Sequence, residues 1–166
     1  MKKFVLLAVL AALAAWYFHF SRLLDEKVVN EHYDQQLRML TEFDSKGLCA
    51  AMAEGYRSVD VAFSESGSQR TELDGTQGCR EVEQQVNQIK RLSDATRGLL
   101  QPTYSNQVKT VTLSDDGKLA TVEGTVTIKM GEYLLGRTRY TEKLIRRAGR
   151  VKSLGGESKS WVYAGG

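Results

Sequence analysis

QVKTVTLSDDGKLATVEGTVTIKM, Gln107 to Met130, places two alternating runs around one turn signal. In the second run Ala120, Val122, Val126, Ile128 and Met130 share a face, which is the period of a half-buried strand. Between the runs stands Ser114-Asp115-Asp116-Gly117, and Gly117 can take the positive φ that a tight turn needs. The stretch predicts an antiparallel hairpin. A hairpin alone cannot cover its apolar face, so more strands and helices must pack on it.

Working outward, "EYLLGRTRYTEKLIRRAGRVKSLGGESKSWVY", Glu132 to Tyr163, predicts two further strands that turn near Ala148-Gly149. Upstream, apolar residues recur at Leu24, Val28, Tyr33, Leu37 and Leu40, roughly the spacing of an amphipathic helix over 21–43. Asp44 is a suitable N-cap for a second helix from Ser45 to about Glu54, with Gly55 past its end. "RSVDVAFSES" alternates as a strand, with Val59, Val61 and Phe63 opposite Ser58, Asp60 and Ser64. "GSQRTELDGTQG" is turn-rich and reads as a loop or an edge hairpin. A third helix carries Cys79, Val82, Val86 and Ile89 on one stripe. Pro102 closes the connection to the central hairpin.

These elements make an α+β layered fold. The chain resembles the nuclear transport factor 2-like superfamily, the cone-shaped fold shared with ketosteroid isomerase, over roughly Val28 to Tyr163. The carriers are "FDSKGLCAAM" as a helix–Asp–helix corner, "DGTQGCREVEQQV" opening the third helix, "LSDDGKLATVEGTVTI" as the central hairpin and "GRVKSLGGESKSW" as the closing strand pair. The resemblance implies three helices packed on a curved, mostly antiparallel sheet that encloses a pocket. Members use that pocket for catalysis, for binding or for neither, so the fold alone assigns no function.

Isomerases of this family need a carboxylate base and an acid or tyrosine donor in one apolar pocket. Residues of the right type are Tyr56, Asp60, Tyr104, Tyr140 and Glu142. By strand phase Tyr140 and Glu142 share a face, opposite Arg139 and Lys143. An inward Glu142 would have a raised pKa, since burial disfavours the charged form; a solvated rim position is the plainer expectation. His32 beside Glu31 and Asp34 is a helix-surface pattern rather than a metal set. The sequence shows no zinc ligand set, nucleophile–base pair or phosphate loop, so neither metal nor cofactor is expected. Cys49 and Cys79 are the only cysteines. Each falls early on a predicted helix, and those helices are neighbours in the family fold, which implies a disulfide; two buried free thiols are the other reading.

Lys2 and Lys3 precede an apolar run from Phe4 to Phe20, interrupted by His19. As a helix its ~17 residues reach ~25 Å. "ALA" at Ala12–Ala14 could end a cleavable leader, but the run continues through Trp16 and Tyr17, aromatics suited to a membrane interface. The expectation is an uncleaved signal-anchor over 1–22 that holds a domain over 23–166 on the periplasmic side of a bacterial inner membrane.

Composition is that of a folded domain, 42% hydrophobic and 26% charged, with formal net charge +3. That excess is too small for a nucleic-acid binder. Residues 21–101 hold 10 Lys and Arg against 14 Asp and Glu, whereas 137–159 hold 8 against 2. The basic stretch reads as a solvated outer sheet face or as a docking face for an acidic partner or anionic lipid. Tyr133, Leu135, Arg137 and Arg139 have the residue types of an interface. The expected function is a non-enzymatic, homodimeric or partner-binding module of an envelope or secretion complex. The alternatives are a small-ligand binder or ketosteroid isomerase-like enzyme using the cone pocket, and a cleaved, soluble periplasmic protein.

Overall fold

The computed structural model describes residues 9–10, 13–14, 16–17, 21–65 and 67–163. Three helices, α1 Glu26–Thr41, α2 Ser45–Ala50 and α3 Gly75–Ala95, pack on a curved sheet. Its strands are β1 Met52–Ser64, β2 Gly67–Asp74, β3 Thr103–Leu113, β4 Leu119–Met130, β5 Tyr133–Arg147 and β6 Arg150–Val162. Sheet order is β2-β1-β6-β5-β4-β3, antiparallel throughout except where β1 and β6 run parallel.

The predicted central hairpin is β3–β4, with Val111 opposite Val122 and Leu113 opposite Ala120. Ser114 donates to Asp116 at 2.7 Å, and Gly117 takes φ 65°. The Gly117 carbonyl then accepts from Leu24 N at 2.7 Å, which brings the chain entering α1 onto the turn. Asp25 caps α1 by accepting from Val28 N at 2.7 Å. The buried stripe of α1 is Val29, His32 and Tyr33, at the i, i+3, i+4 spacing that faces a sheet. Val29 and Tyr33 meet Ala120, Val122 and Leu144 to form the core. The opposite sheet face carries Arg137 and Arg139.

Two boundaries differ from the sequence reading. Helix α2 stops at Ala50 rather than near Glu54, because Met52 already pairs with Ser153 and Ser153 N donates to Ala51 O at 2.8 Å. Gly55, expected as the residue beyond that helix, instead takes φ 81° within β1, where the β1–β6 register shifts. The turn-rich segment after β1 is the edge strand β2, and Asp74 at its end starts α3 earlier than the apolar stripe indicated. Asp74 and Gln77 form a reciprocal capping box there.

Cys49 and Cys79 form the expected disulfide, with Cα atoms 5.0 Å apart, joining α2 to the first turns of α3.

The structure overturns the expected single-pass inner-membrane anchor. Among the described residues no helix is long and apolar enough to cross a membrane. The run on which the expectation rested gives ~25 Å of helix against a ~30 Å hydrocarbon core. Much of 1–22 lies outside the described residues; Leu10, Leu13, Trp16 and Tyr17 are described as helical and exposed. The periplasmic placement loses its basis with the span.

Candidate functional site

On the helix-covered face of the sheet, β5 presents Tyr140 and Glu142 in the phase read from the sequence. Both are given room by glycines on the neighbouring strands. Gly124 of β4 pairs with Tyr140, and a Cβ there would collide with the Tyr140 hydroxyl and come within 2.9 Å of Gln107 O. Gly156 of β6 pairs with Glu142, and a Cβ there would lie 2.9 Å from Glu142 Cα. A larger residue at 124 would displace the Tyr140 side chain, and one at 156 would force the β5 and β6 backbones apart beside Glu142.

Above them sits Tyr33 of α1, buried at 5% exposure. Its hydroxyl donates to Glu142 Oε2 at 2.6 Å, and its ring lies 5.7 Å from that of Tyr140. Tyr140 in turn donates to Asn106 Oδ1 of β3 at 3.0 Å. Burial raises the pKa of Glu142, partly offset by hydrogen bonds from Ser153 and Tyr33. Burial also raises Tyr33, and the Glu142 charge adds to that rise. Tyr140 is raised by burial and pulled back by the Asn106 and Tyr33 hydrogen bonds. The tyrosine protons therefore stay in place across the ordinary pH range, while the carboxyl is the group that can exchange its proton.

Glu142 and Tyr140 line two cavities. One, of about 130 Å³, is walled by Tyr33, Gln36, Leu37, Leu40, Asn106 and Val126. The other, of about 220 Å³, adds Tyr56, Ser58, Thr138 and Ser158. Tyr56 is held under α3, where a Cβ on Gly78 would sit 3.3 Å from its ring.

Of the sequence candidates, then, Tyr56, Tyr140 and Glu142 converge. Asp60 shares their sheet face but is occupied: it accepts from Ser158 and from Ser160 at 2.9 Å, and Ser160 is 3.0 Å from Thr138. Tyr104 sits on β3 opposite Ile128 and lines neither cavity. Tyr33, Asn106 and Gln36 complete the site without having been singled out. In the sequence Tyr33 is one more apolar position of a helix stripe, with nothing local to mark its hydroxyl partner. Asn106 had one signal, an amide on the inward phase of a strand between Tyr104 and Val108.

The interface candidates lie at or near the far face. Arg139 Cζ stands 5.5 Å from the Trp161 ring centre, and Trp161 stacks on Phe63 at 5.7 Å. Tyr133 is 66% exposed. The alternation from Arg139 back to Tyr133 is broken, however. Ile128 pairs with Gly136 and Lys129 with Leu134, so Leu135 is an inserted bulge residue. Among the described residues the one cluster of metal-ligand type is Cys49, Cys79 and Glu83, and its two sulfurs are consumed by the disulfide.

No protein-family model and no curated protein matches the chain. Solved structures do match in fold. An NTF2-like protein of unknown function from Pseudomonas putida KT2440 superposes with TM-score 0.52 at 15% identity, covering 81% of this chain and 84% of that one. Aln2 from a Streptomyces species gives TM-score 0.53 at 19% identity, over 82% and 93%. A scytalone dehydratase candidate from Novosphingobium aromaticivorans gives 0.54 at 11%, over 83% and 87%. The chain has the NTF2-like fold.

Proposed function

We propose that the cone interior is a small-ligand site with acid–base capacity centred on Glu142. The observation that carries this reading is a largely buried carboxyl, hydrogen-bonded by Tyr33, that lines two open pockets beside Tyr140. A carboxyl with a raised pKa can take a proton from a carbon next to a carbonyl and return it elsewhere. Tyr56, in the cavity of about 220 Å³, is the donor for a ligand oxygen on which charge would develop, and Tyr140 joins it only by giving up its hydrogen bond to Asn106. The 130 Å³ cavity is close in size to the ~150 Å³ apolar cavity that admits benzene, so a ligand of one ring fits. The scytalone dehydratase candidate among the structural neighbours bears the name of an enzyme on this fold, which agrees with the reading without assigning a substrate.

The test uses cyclohexanone in deuterated buffer, following exchange of its α-protons by NMR. Exchange should exceed the buffer rate with the native chain and return to it with Glu142→Gln. Equal exchange by both chains would sink the acid–base reading. Saturable phenol binding that weakens in Tyr140→Phe would then still support a binding site, and its absence would remove that as well.

A second reading draws on the far sheet face. Phe63, Trp161 and Arg139 form an aromatic–cation stack there, next to Arg137, which pairs with Trp161, and these are residue types that anchor interfaces. We propose this face as a surface for self-association.

A further inference from the structure

A second groove runs between α1, α2 and the β5–β6 turn, with a volume of about 440 Å³. Its apolar wall includes Val28, Met39 and Val151; its polar wall includes His32, Arg146 and Arg150. The two arginines differ in how they are held. Arg146 is fixed: Nε donates to Gly149 O at 3.2 Å and Nη1 to Leu23 O at 3.1 Å. Arg150 is exposed at the start of β6. Neither pairs with a carboxylate among the described residues, whereas Arg147 between them does, with Glu54 at 3.7 Å.

His32 is buried at 6% exposure, and its Nε2 lies 3.1 Å from Gln36 Nε2. In this assignment of the amide, Gln36 donates, so the ring is neutral and its proton sits on Nδ1. Desolvation lowers its pKa to about 4, which keeps it neutral near pH 7. The remaining charged lining residue is Glu31, which lies 3.9 Å from Lys27 Nζ. Two arginines against one glutamate leave the lining with one net positive charge.

We propose that this groove binds a small organic monocarboxylate, its carboxylate on Arg146 and Arg150 and its hydrocarbon body on Val28, Met39 and Val151. A guanidinium held by backbone carbonyls is pre-oriented, so less freedom is lost when it engages a carboxylate. The net charge suits a monoanion, and the apolar wall would gain nothing from inorganic phosphate. The groove shares Gln36 with the smaller cavity but none of its charged groups touches Glu142, so its carboxylate binding does not rest on the acid–base reading.

Sodium hexanoate titrated into the full chain at low salt tests the proposal, followed by the His32 imidazole signals and by calorimetry. Binding should saturate at one equivalent and shift those signals. Hexan-1-ol should bind at least roughly ten-fold more weakly, as should hexanoate to Arg150→Glu, the scale set by loss of a charge-assisted pair. Glu142→Gln should bind as the native chain does. If Arg150→Glu fails to fold, Arg150→Gln replaces it, and the hexanol comparison needs no variant. Absence of saturation, equal affinity for hexanol, tighter binding of phosphate, or indifference to Arg150 would each overturn the proposal.

Discussion

Glu142 and Tyr33 meet from positions 109 residues apart. Only part of that pair was legible in the sequence. Strand phase put Glu142 on one face with Tyr140, but a solvated rim was the plainer expectation, and only the packing of α1 over that face buries the carboxyl. Nothing local announced Tyr33, because an aromatic on a helix stripe has the same pattern whether or not its hydroxyl has a distant partner. Glu142 holds its proton more tightly folded than unfolded, so its contribution is complete below the ordinary carboxyl range and is lost as pH rises through its folded pKa. Glu142→Gln should therefore gain stability over the native chain as pH is raised, measured by urea denaturation at pH 5 and pH 8.5; a pH-independent difference would contradict the burial of the carboxyl. His32 has the opposite sign. Its pKa falls from 6.5 to about 4 on folding, so its contribution is present above 6.5 and is lost as pH drops toward 4. At ~1.4 kcal/mol per unit, the loss approaches about 3 kcal/mol. His32→Gln should flatten this acid limb of a stability–pH curve.

Elements were legible where caps and turns are local. Asp44, the Asp-Asp-Gly turn and the third-helix stripe each gave the right element, because the hydrogen bonds involved span three residues or so. The end of α2 was missed because a strand about 100 residues further on, not a capping residue, stops the helix at Ala50. Leu135 as a bulge was missed for the same reason: only its pairing with β4 reveals it. Replacing Asp74 with Ala should cost about 1 kcal/mol by removing the α3 capping box, read as a lower thermal midpoint. Gly124→Ala should cost about 1–3 kcal/mol, because its Cβ displaces Tyr140, and should alter tyrosine fluorescence. Reducing the Cys49–Cys79 bridge releases a loop with a separation of 30 residues, worth about 3–4 kcal/mol in the chain-entropy model, and should lower the urea midpoint accordingly.

For the whole molecule, the sheet has two faces with different chemistry: a cone interior of tyrosines with the carboxyls of Glu142 and Asp60, and an outer face of arginines around Phe63 and Trp161. If the outer face pairs with a second copy, Arg139→Glu should keep the native circular dichroism spectrum and sediment as a monomer where the parent does not. An identical sedimentation profile for both would end that reading. The fold class was legible because an α+β layering follows from element order. The order of strands was not, since neighbours in the sheet are set by contacts between distant parts of the chain.

The parallel seam between β1 and β6 has a consequence for biosynthesis. The β1–β2 hairpin is joined to the β3–β4–β5 meander only through β6, residues 150–162. A nascent chain that has emerged only as far as residue 149 carries two sheet fragments with no strand pairing between them. At ~5–20 residues per second this two-piece state lasts roughly 1–3 seconds while β6 is made. During that interval the edges that β6 will occupy are open on both fragments, on β1 and on β5. Such edges are where other strands add. Ribosome-bound chains stalled with residues up to 149 exposed should be cleaved readily by protease between the two pieces, and chains stalled after Tyr163 has emerged should resist.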